Sequence, residues 1–297
     1  MNMIAPEPGR AETAPQPAQS SSPIVISATR SWRDAARLAV ADVQETLRLW
    51  PLVWTLSLFD IRLRYRGSLL GPLWLTLSTG IMVAAIGFLY ARLFHQNVHD
   101  YLPYLSVSLV LWNFVGAITA EGSICFTQAE GMIRSTRLPH SLHAARVLVR
   151  NLLVLAHNLI VIAGVFIIFH KVPSLSVFSL LPASVLWCAD AFAISLLLGV
   201  FGARFRDIPP IVASVMQIAF FITPIMWSPS ILMHRGLAFN FLEANPFFSL
   251  LEIMRGPLLG QAIEPHMWDM ALGYSAGLML LSAIVFMRSR PRIPYWI

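Results

Sequence analysis

Long uncharged apolar runs alternate with short basic stretches along most of this chain. About 25 residues between Arg66 and Arg92 carry no charge, enough to cross a hydrocarbon core about 30 Å thick with some tilt. Similar runs recur at about 102–120, 147–169, 178–201, 209–228 and 268–287. With the first at about 70–91, the pattern predicts an all-α integral membrane protein with six transmembrane helices. Between the fifth and sixth runs, FLEANPFFSLLEIMRGPLLG is apolar but interrupted by Pro246, Glu252, Arg255 and Pro257. Its pieces are too short to cross, so short re-entrant or interfacial helices are expected at the outer surface.

The stretch before the first span has a different pattern. At 100° per residue, residues 52–66 give two apolar stripes. Leu52, Leu56, Phe59 and Leu63 form one; Trp54, Leu58, Ile61 and Tyr65 form the other. Asp60 and Arg64 separate them on one side, Arg62 and Arg66 on the other. An interfacial helix needs only one apolar face, so one stripe is expected to meet lipid and the other the bundle; a purely lipid-facing anchor is the alternative. Upstream, residues 31–49 show helical spacing at Leu38, Val43 and Leu47 and predict a short surface helix. Residues 1–30 are rich in Ala, Pro, Ser and Gln, lack the apolar core of a signal peptide, and read as a retained, disordered cytosolic tail. The expected organisation is therefore a tail (1–30), amphipathic helices (31–66, with 51–66 the last), a six-helix membrane domain (67–290) and a cytosolic tail (291–297).

Composition strengthens the membrane reading: 57% of residues are hydrophobic and only 12% charged, about half the charge of an ordinary soluble domain. The net charge of +6 raises the question of nucleic acid, but the basic residues cluster beside apolar runs and read as topology signals. One side collects Arg62, Arg64, Arg66, Arg134, Arg137, Arg146, Arg150, Arg204, Arg206, Arg288, Arg290 and Arg292. The other has Arg92, Lys171, Arg235 and Arg255. Both termini are therefore expected in the cytosol. The two cysteines, Cys125 and Cys188, lie in unrelated segments and suggest neither a disulfide framework nor a metal site.

Candidate chemistry is sparse. The chain has no G-x-x-x-x-G-K-[ST] phosphate loop, no H-E-x-x-H, no G-x-S-x-G and no paired-cysteine motif. Asp190 is the one carboxylate well inside a predicted span; it is either a polar site on a transport path or a hydrogen-bonded packing residue. The loop AEGMIRSTRLPHSLHAARVLVRN predicts a short helix over Ala129–Thr136, ended by Leu138-Pro139. It presents Glu130, Arg134 and Arg137 beside Met132, Ile133 and Leu138, suited either to a groove on a soluble partner or to an ordinary connection.

Four stretches carry a family resemblance: DIRLRYRGSLLGPLW (60–74), EGMIRSTRLPHSL (130–142), FGARFRDIPPIVASVMQIAFFITPIMWSP (201–229) and NPFFSLLEIMRGPLLG (245–260). Over about 45–297 the chain resembles the membrane subunits of type-2 ABC exporters that move lipid-linked polysaccharides, the O-antigen and capsule export permeases. The resemblance implies a homodimeric channel in the bacterial inner membrane, with two copies of a separate ATPase that hold ATP and Mg, so that this chain needs no cofactor and is no enzyme. It assigns ATPase coupling to Glu130, Met132, Ile133, Arg134 and Arg137, with a second contact at Arg204, Arg206 and Asp207. It makes residues 51–66 a gate helix, with Trp54, Phe59, Arg62, Arg64, Tyr65 and Arg66 as candidates for the gate and for a lipid pyrophosphate, since guanidinium matches phosphate bidentately.

Aromatic faces stack on sugar rings while tolerating sliding. Trp74, Phe88, Tyr90, Phe220, Phe221 and Trp227, with Asp190, are therefore candidate translocation-path residues; each aromatic serves equally as packing or as an interface anchor. A membrane enzyme acting on lipid-linked sugars would need a compact Asp, Glu or His cluster, and a secondary transporter several intramembrane charges or broken helices in both halves. A permease with a borrowed motor needs neither.

Overall fold

The structure, a computed structural model, describes residues 31–68, 71, 73–93, 95–172, 174–229 and 236–297. The expected tail 1–30 lies outside them. All regular structure among the described residues is helical. The helices are α1 (Trp32–Arg48), α2 (Trp50–Arg64), α3 (Leu73–Leu93), α4 (Val98–Ser123), α5 (Glu130–Ser135) and α6 (Ser141–Ile168). They continue as α7 (Leu180–Arg204), α8 (Ile208–Ile222), α9 (Leu237–Glu243), α10 (Pro246–Leu258), α11 (Pro265–Ser289) and α12 (Ile293–Trp296).

Five helices among the described residues, α3, α4, α6, α7 and α11, are long and apolar enough to cross a membrane. The fifth expected span behaves differently. Its helix is α8, only 15 residues, about 22 Å at 1.5 Å per residue and short of a hydrocarbon core about 30 Å thick. It stops at Ile222 because Thr223 takes an extended conformation (ψ 137°), as the residue before a proline tends to.

Helix α4 is the hub, packed against α3, α6, α7, α8 and α10. It can be buried on several sides because its hydroxyls bond inside the helix: Ser106 donates to the Pro103 carbonyl, Ser108 to Tyr104, and Thr119 to Val115 and Gly116. Its crossing with α7 is close. A Cβ at Gly122 would lie 2.9 Å from Ser195 Cα, one at Gly199 2.5 Å from Cys125 Sγ, and one at Gly202 would overlap the Ser123 carbonyl. Without a hydrophobic driving force between helices in lipid, such small-residue approach is a main source of packing energy. Gly202→Ala is therefore expected to destabilise the chain by about 1–3 kcal/mol, read as a lowered unfolding midpoint in detergent; an unchanged midpoint would refute the close crossing.

Contacts sort the helix ends into two groups. Arg64 with Glu121, Arg290 with Asp42 and Arg134 with the Ile297 carbonyl gather one set of ends, the basic end. Lys171 with Asp100 lies at the far end, as do α9 and α10. Near the basic end, α1 buries Ala39, Asp42 and Thr46 while Leu47 stays exposed, so its inward face is not the expected apolar spacing. The reason is a cap supplied by another helix. Helix α6 has no side-chain cap of its own, and the Asp42 carboxylate accepts from the backbone N–H of Ser141 (2.9 Å) and His140 (3.2 Å). The Ser141 hydroxyl and Arg290 Nε complete its partners, at 2.7 and 2.6 Å. Burial alone would raise this carboxyl's pKa, but the hydrogen bonds outweigh it and hold the group well below the usual carboxylate range.

Candidate functional site

The polar seam of α2 is the first component. Its buried positions are Val53 and Ser57. Val53 packs with Leu142, Ala145 and Val149 of α6, flanked by Leu52 and Leu56. The Ser57 hydroxyl contacts the Val53 and Arg146 carbonyls at 2.8 and 3.1 Å. Neither expected stripe packs along its whole length: Leu52 and Leu56 of the first rest against α6, but its Phe59 and Leu63 are exposed, as is Trp54 of the second, and the inward line runs Val53, Ser57, Asp60, Arg64. Polar residues turn inward because α4 and α6 present charge there.

That charge forms a cluster. Asp60 accepts from Arg146 through both of its oxygens and from Arg150 Nη1 at 2.9 Å. Glu121 takes Arg64 Nη2 at 2.7 Å, Arg150 Nε and Nη2 at 2.9 and 2.6 Å, and Asn151 Nδ2 at 2.7 Å. Arg150, 9% exposed at its side chain, bridges both carboxylates. A polar cavity of about 320 Å³ adjoins the cluster, lined among others by Asp60, Gln128, His143, Arg146 and Arg150. Read from the sequence, Arg146 and Arg150 are topology signals, Asp60 only separates the two stripes of α2 and Glu121 only ends a span; none is expected to pair with another. The available signal was their spacing: two arginines four apart at the start of a span, and one acid closing an uncharged run.

The gate-helix candidates divide accordingly. Arg62 and Arg66 are exposed, Arg64 is engaged by Glu121, and the Tyr65 hydroxyl is buried. The cluster leaves Arg62 and Arg66 better placed than Arg64 to meet a phosphate from outside the chain.

The second component is the loop carrying α5. Six residues, Glu130–Ser135, are helical and none is buried; Glu130 and Arg134 pair at 3.0 Å. Ile133 packs inward beside the carboxyl-terminal residues, Arg134 reaches the Ile297 carbonyl (2.5 Å), and Arg137 is exposed. Met132 is half-buried. The Arg204–Asp207 turn lies at the same end, with Arg206 and Asp207 exposed and the Arg204 guanidinium between the rings of Phe205 and Trp296, at 5.0 and 5.3 Å.

The path candidates do not converge on one cavity within the chain. Trp74 and Phe88 lie on the exposed side of α3, while Tyr90 packs against the core. Phe220 rests on Trp112 and Phe221 is exposed. Trp227 Nε1 bonds the Phe221 carbonyl at 3.3 Å. Asp190 is buried between α7 and α11, bonded to the Ser275 hydroxyl at 2.6 Å.

At the far end, sequence reading assigned Arg255 to the outer charge tally, but the structure buries it to 1% exposure. Its Nη1, with two N–H bonds, lies within hydrogen-bond distance of three acceptors, the Tyr104 hydroxyl (2.7 Å), Ser108 Oγ (2.8 Å) and the Pro224 carbonyl (2.6 Å); Nη2 pairs with Glu252. The single Tyr104 O–H lies between the Pro224 and Trp227 carbonyls, at 2.6 and 2.9 Å, and Tyr101 donates to the Met226 carbonyl. The Pro224, Met226 and Trp227 carbonyls after α8 thus have protein donors, as irregular chain at membrane depth requires.

Sequence comparison connects this geometry to known proteins. The family described as ABC-2 type transporter matches residues 51–259, from the start of α2 to the end of α10. This chain belongs to the ABC-2 type transporter family. The matched region of this ABC-2 transporter chain takes in α2, the α5 loop, the Arg204–Asp207 turn and the Arg255 anchor. The chain is similar to the O-antigen export system permease protein RfbA of Myxococcus xanthus, 24% identical over 211 residues, which are 70% of this chain and 80% of that protein. It is also similar to an O-antigen export system permease protein RfbA of Klebsiella pneumoniae, 21% identical over 182 residues, 61% of this chain and 70% of the relative.

Proposed function

We propose that this chain is the membrane subunit of an exporter of lipid-linked polysaccharide, of O-antigen or capsule type, in the bacterial inner membrane. Two copies form the conduit, and two copies of a separate ATPase drive it and hold the ATP and Mg. The observation that carries this reading is the gathering of α2, α5 and the Arg204–Asp207 turn at the basic end, within a chain of the ABC-2 family. A soluble motor needs all its contacts on one side of the membrane. The exposed residues Glu130, Arg134, Arg137, Arg206 and Asp207 supply a charged surface for it there. The excess of arginine at that end supports reading it as the cytosolic one, with both termini on that side.

Six crossings fit this reading better than five. Helix α8 starts beside Arg204 at the basic end, and the stretch after it, through Trp227, meets Tyr101 and Tyr104 at the far end. Helix and extended stretch together thus traverse the bundle. Helix α10 then returns into it, its Leu250 carbonyl accepting from Trp187 Nε1 and its Arg255 reaching Ser108, as a re-entrant element would.

A second copy is supported by α8 itself. No residue of α8 is buried, and Ser214 and Gln217 stand exposed nearly one turn apart on it. An amide facing lipid is costly without a partner; a partner helix or a wet conduit removes that cost. The conduit would then run along α8, where Phe221 is exposed.

The test is association with the motor. Replacing both Arg134 and Arg137 by Glu is expected to reduce co-purification of the ATPase about tenfold, since repulsive charge juxtaposition costs more than 1.4 kcal/mol. Membrane insertion should be intact. Undiminished co-purification would remove α5 from the contact.

A further inference from the structure

A cavity of about 330 Å³ lies between α4, α7, α10 and α11. Phe114 and Ile118 of α4, Ile194 of α7, Leu250 of α10 and Leu278 of α11 make most of its wall apolar. Asp190 is the exception. Its side chain lines the cavity, the residue is 8% exposed, and Oδ2 accepts from Ser275 at 2.6 Å. Among the described residues, Oδ1 is buried with no hydrogen-bond partner.

The neighbouring polar groups cannot serve it, because each is engaged elsewhere. Thr119 donates within α4, Tyr274 to the Ala244 carbonyl, and Trp187 Nε1 to the Leu250 carbonyl. A carboxylate oxygen left in apolar space is among the most costly unsatisfied groups a protein can hold. The space beside it is apolar and large. A cavity of about 150 Å³ lined by aliphatic and aromatic side chains holds benzene, so this one has room for a chain of about ten carbons.

We propose that this cavity binds one hydrocarbon chain ending in a single hydroxyl, with the hydroxyl bonded to Asp190 Oδ1. A hydroxyl both donates and accepts, so it satisfies Oδ1 whichever oxygen carries a proton and whether or not one is present. An alkane leaves Oδ1 unpaired. The bound chain touches Phe247, Leu250 and Leu251 and so adds to the seat of α10 on α4 and α7. This inference stands apart from the export reading and holds or fails without it.

The test uses the full chain in phospholipid nanodiscs and a decanol analogue carrying a photoreactive diazirine at its tail. Labelling is expected to saturate at one per chain, to map to residues such as Phe114, Ile118 and Ile194, and to be displaced by 1-decanol but not by decane. Asp190→Leu, which removes the acceptor, and Leu278→Trp, which fills the space from α11, are each expected to weaken labelling about tenfold, the range seen when a polar contact or pocket fit is lost. Asp190→Asn retains both hydrogen bonds and should label nearly as wild type, a control against general misfolding. Because bilayer lipid is present throughout, no labelling means that an acyl chain or a second copy fills the cavity. That result overturns the proposal, as does labelling that Asp190→Leu or Leu278→Trp leaves undiminished.

Discussion

Arg255→Met is expected to lower the unfolding midpoint of the purified chain by the widest margin of any single change at the far end. Removing one member of a buried, hydrogen-bonded charge pair costs about 3–5 kcal/mol. Here the guanidinium serves four partners: Glu252, the Tyr104 hydroxyl, Ser108 and the Pro224 carbonyl. It also lies over the Tyr104 ring, 4.4 Å from the centroid. Methionine fills much of the same volume, so the loss measures polar satisfaction more than cavity formation.

Two companion variants separate the contributions. Arg255→Lys keeps charge, but a point donor cannot reach Glu252 and the Tyr104–Pro224 pair together, so it should recover only part of the stability. Arg255→Met with Glu252→Gln removes the orphaned carboxylate and should be more stable than Arg255→Met alone. If the single variant unfolds like wild type, Arg255 does not hold α10 against α4, and the proposed re-entrant element loses its anchor.

The comparison between sequence and structure turns on which face of a helix goes inward. Hydropathy located α3, α4, α6, α7 and α11 because a long uncharged run has few alternatives. The Thr223-Pro224 pair signals the stop at Ile222, although the uncharged run continues to about 228. The faces of α1 and α2 have no such signal. In a soluble protein the apolar stripe marks the core; beside a bilayer, lipid covers the apolar stripes, and the polar seam can turn to the bundle. Asp42 and Thr46 in α1, and Ser57 and Asp60 in α2, all face protein. Their partners, Ser141, Arg146 and Arg150, stand about 90 residues away in sequence. Periodicity within one helix holds no information about such pairing. Arg255 escapes for the same reason: apart from Glu252 on its own helix, its partners come from α4 and the turn after α8.

The cluster under α2 gives the second large effect. Asp60→Ala is expected to cost about 3 kcal/mol, because it strips both carboxylate contacts from Arg146 and half the pairing from Arg150 in a largely buried place. The loss should concentrate on α2. Its apolar hold on α6 is short, centred on Val53 with Leu52 and Leu56 beside it, and the polar anchors beyond Ser57 are the charged pairs of Asp60 and Arg64. Hydrogen exchange over residues 58–64 should therefore accelerate in Asp60→Ala while exchange in the hub helix α4 changes little. Reversing the pair, with Asp60→Arg and Arg146→Asp together, should restore much of the protection, because attraction is rebuilt with the poles exchanged; incomplete recovery is expected from the shared partner Arg150. Equal exchange in wild type and Asp60→Ala would mean that Val53 and its neighbours suffice to hold α2. The polar seam would then be a by-product of that apolar hold rather than part of what fixes α2.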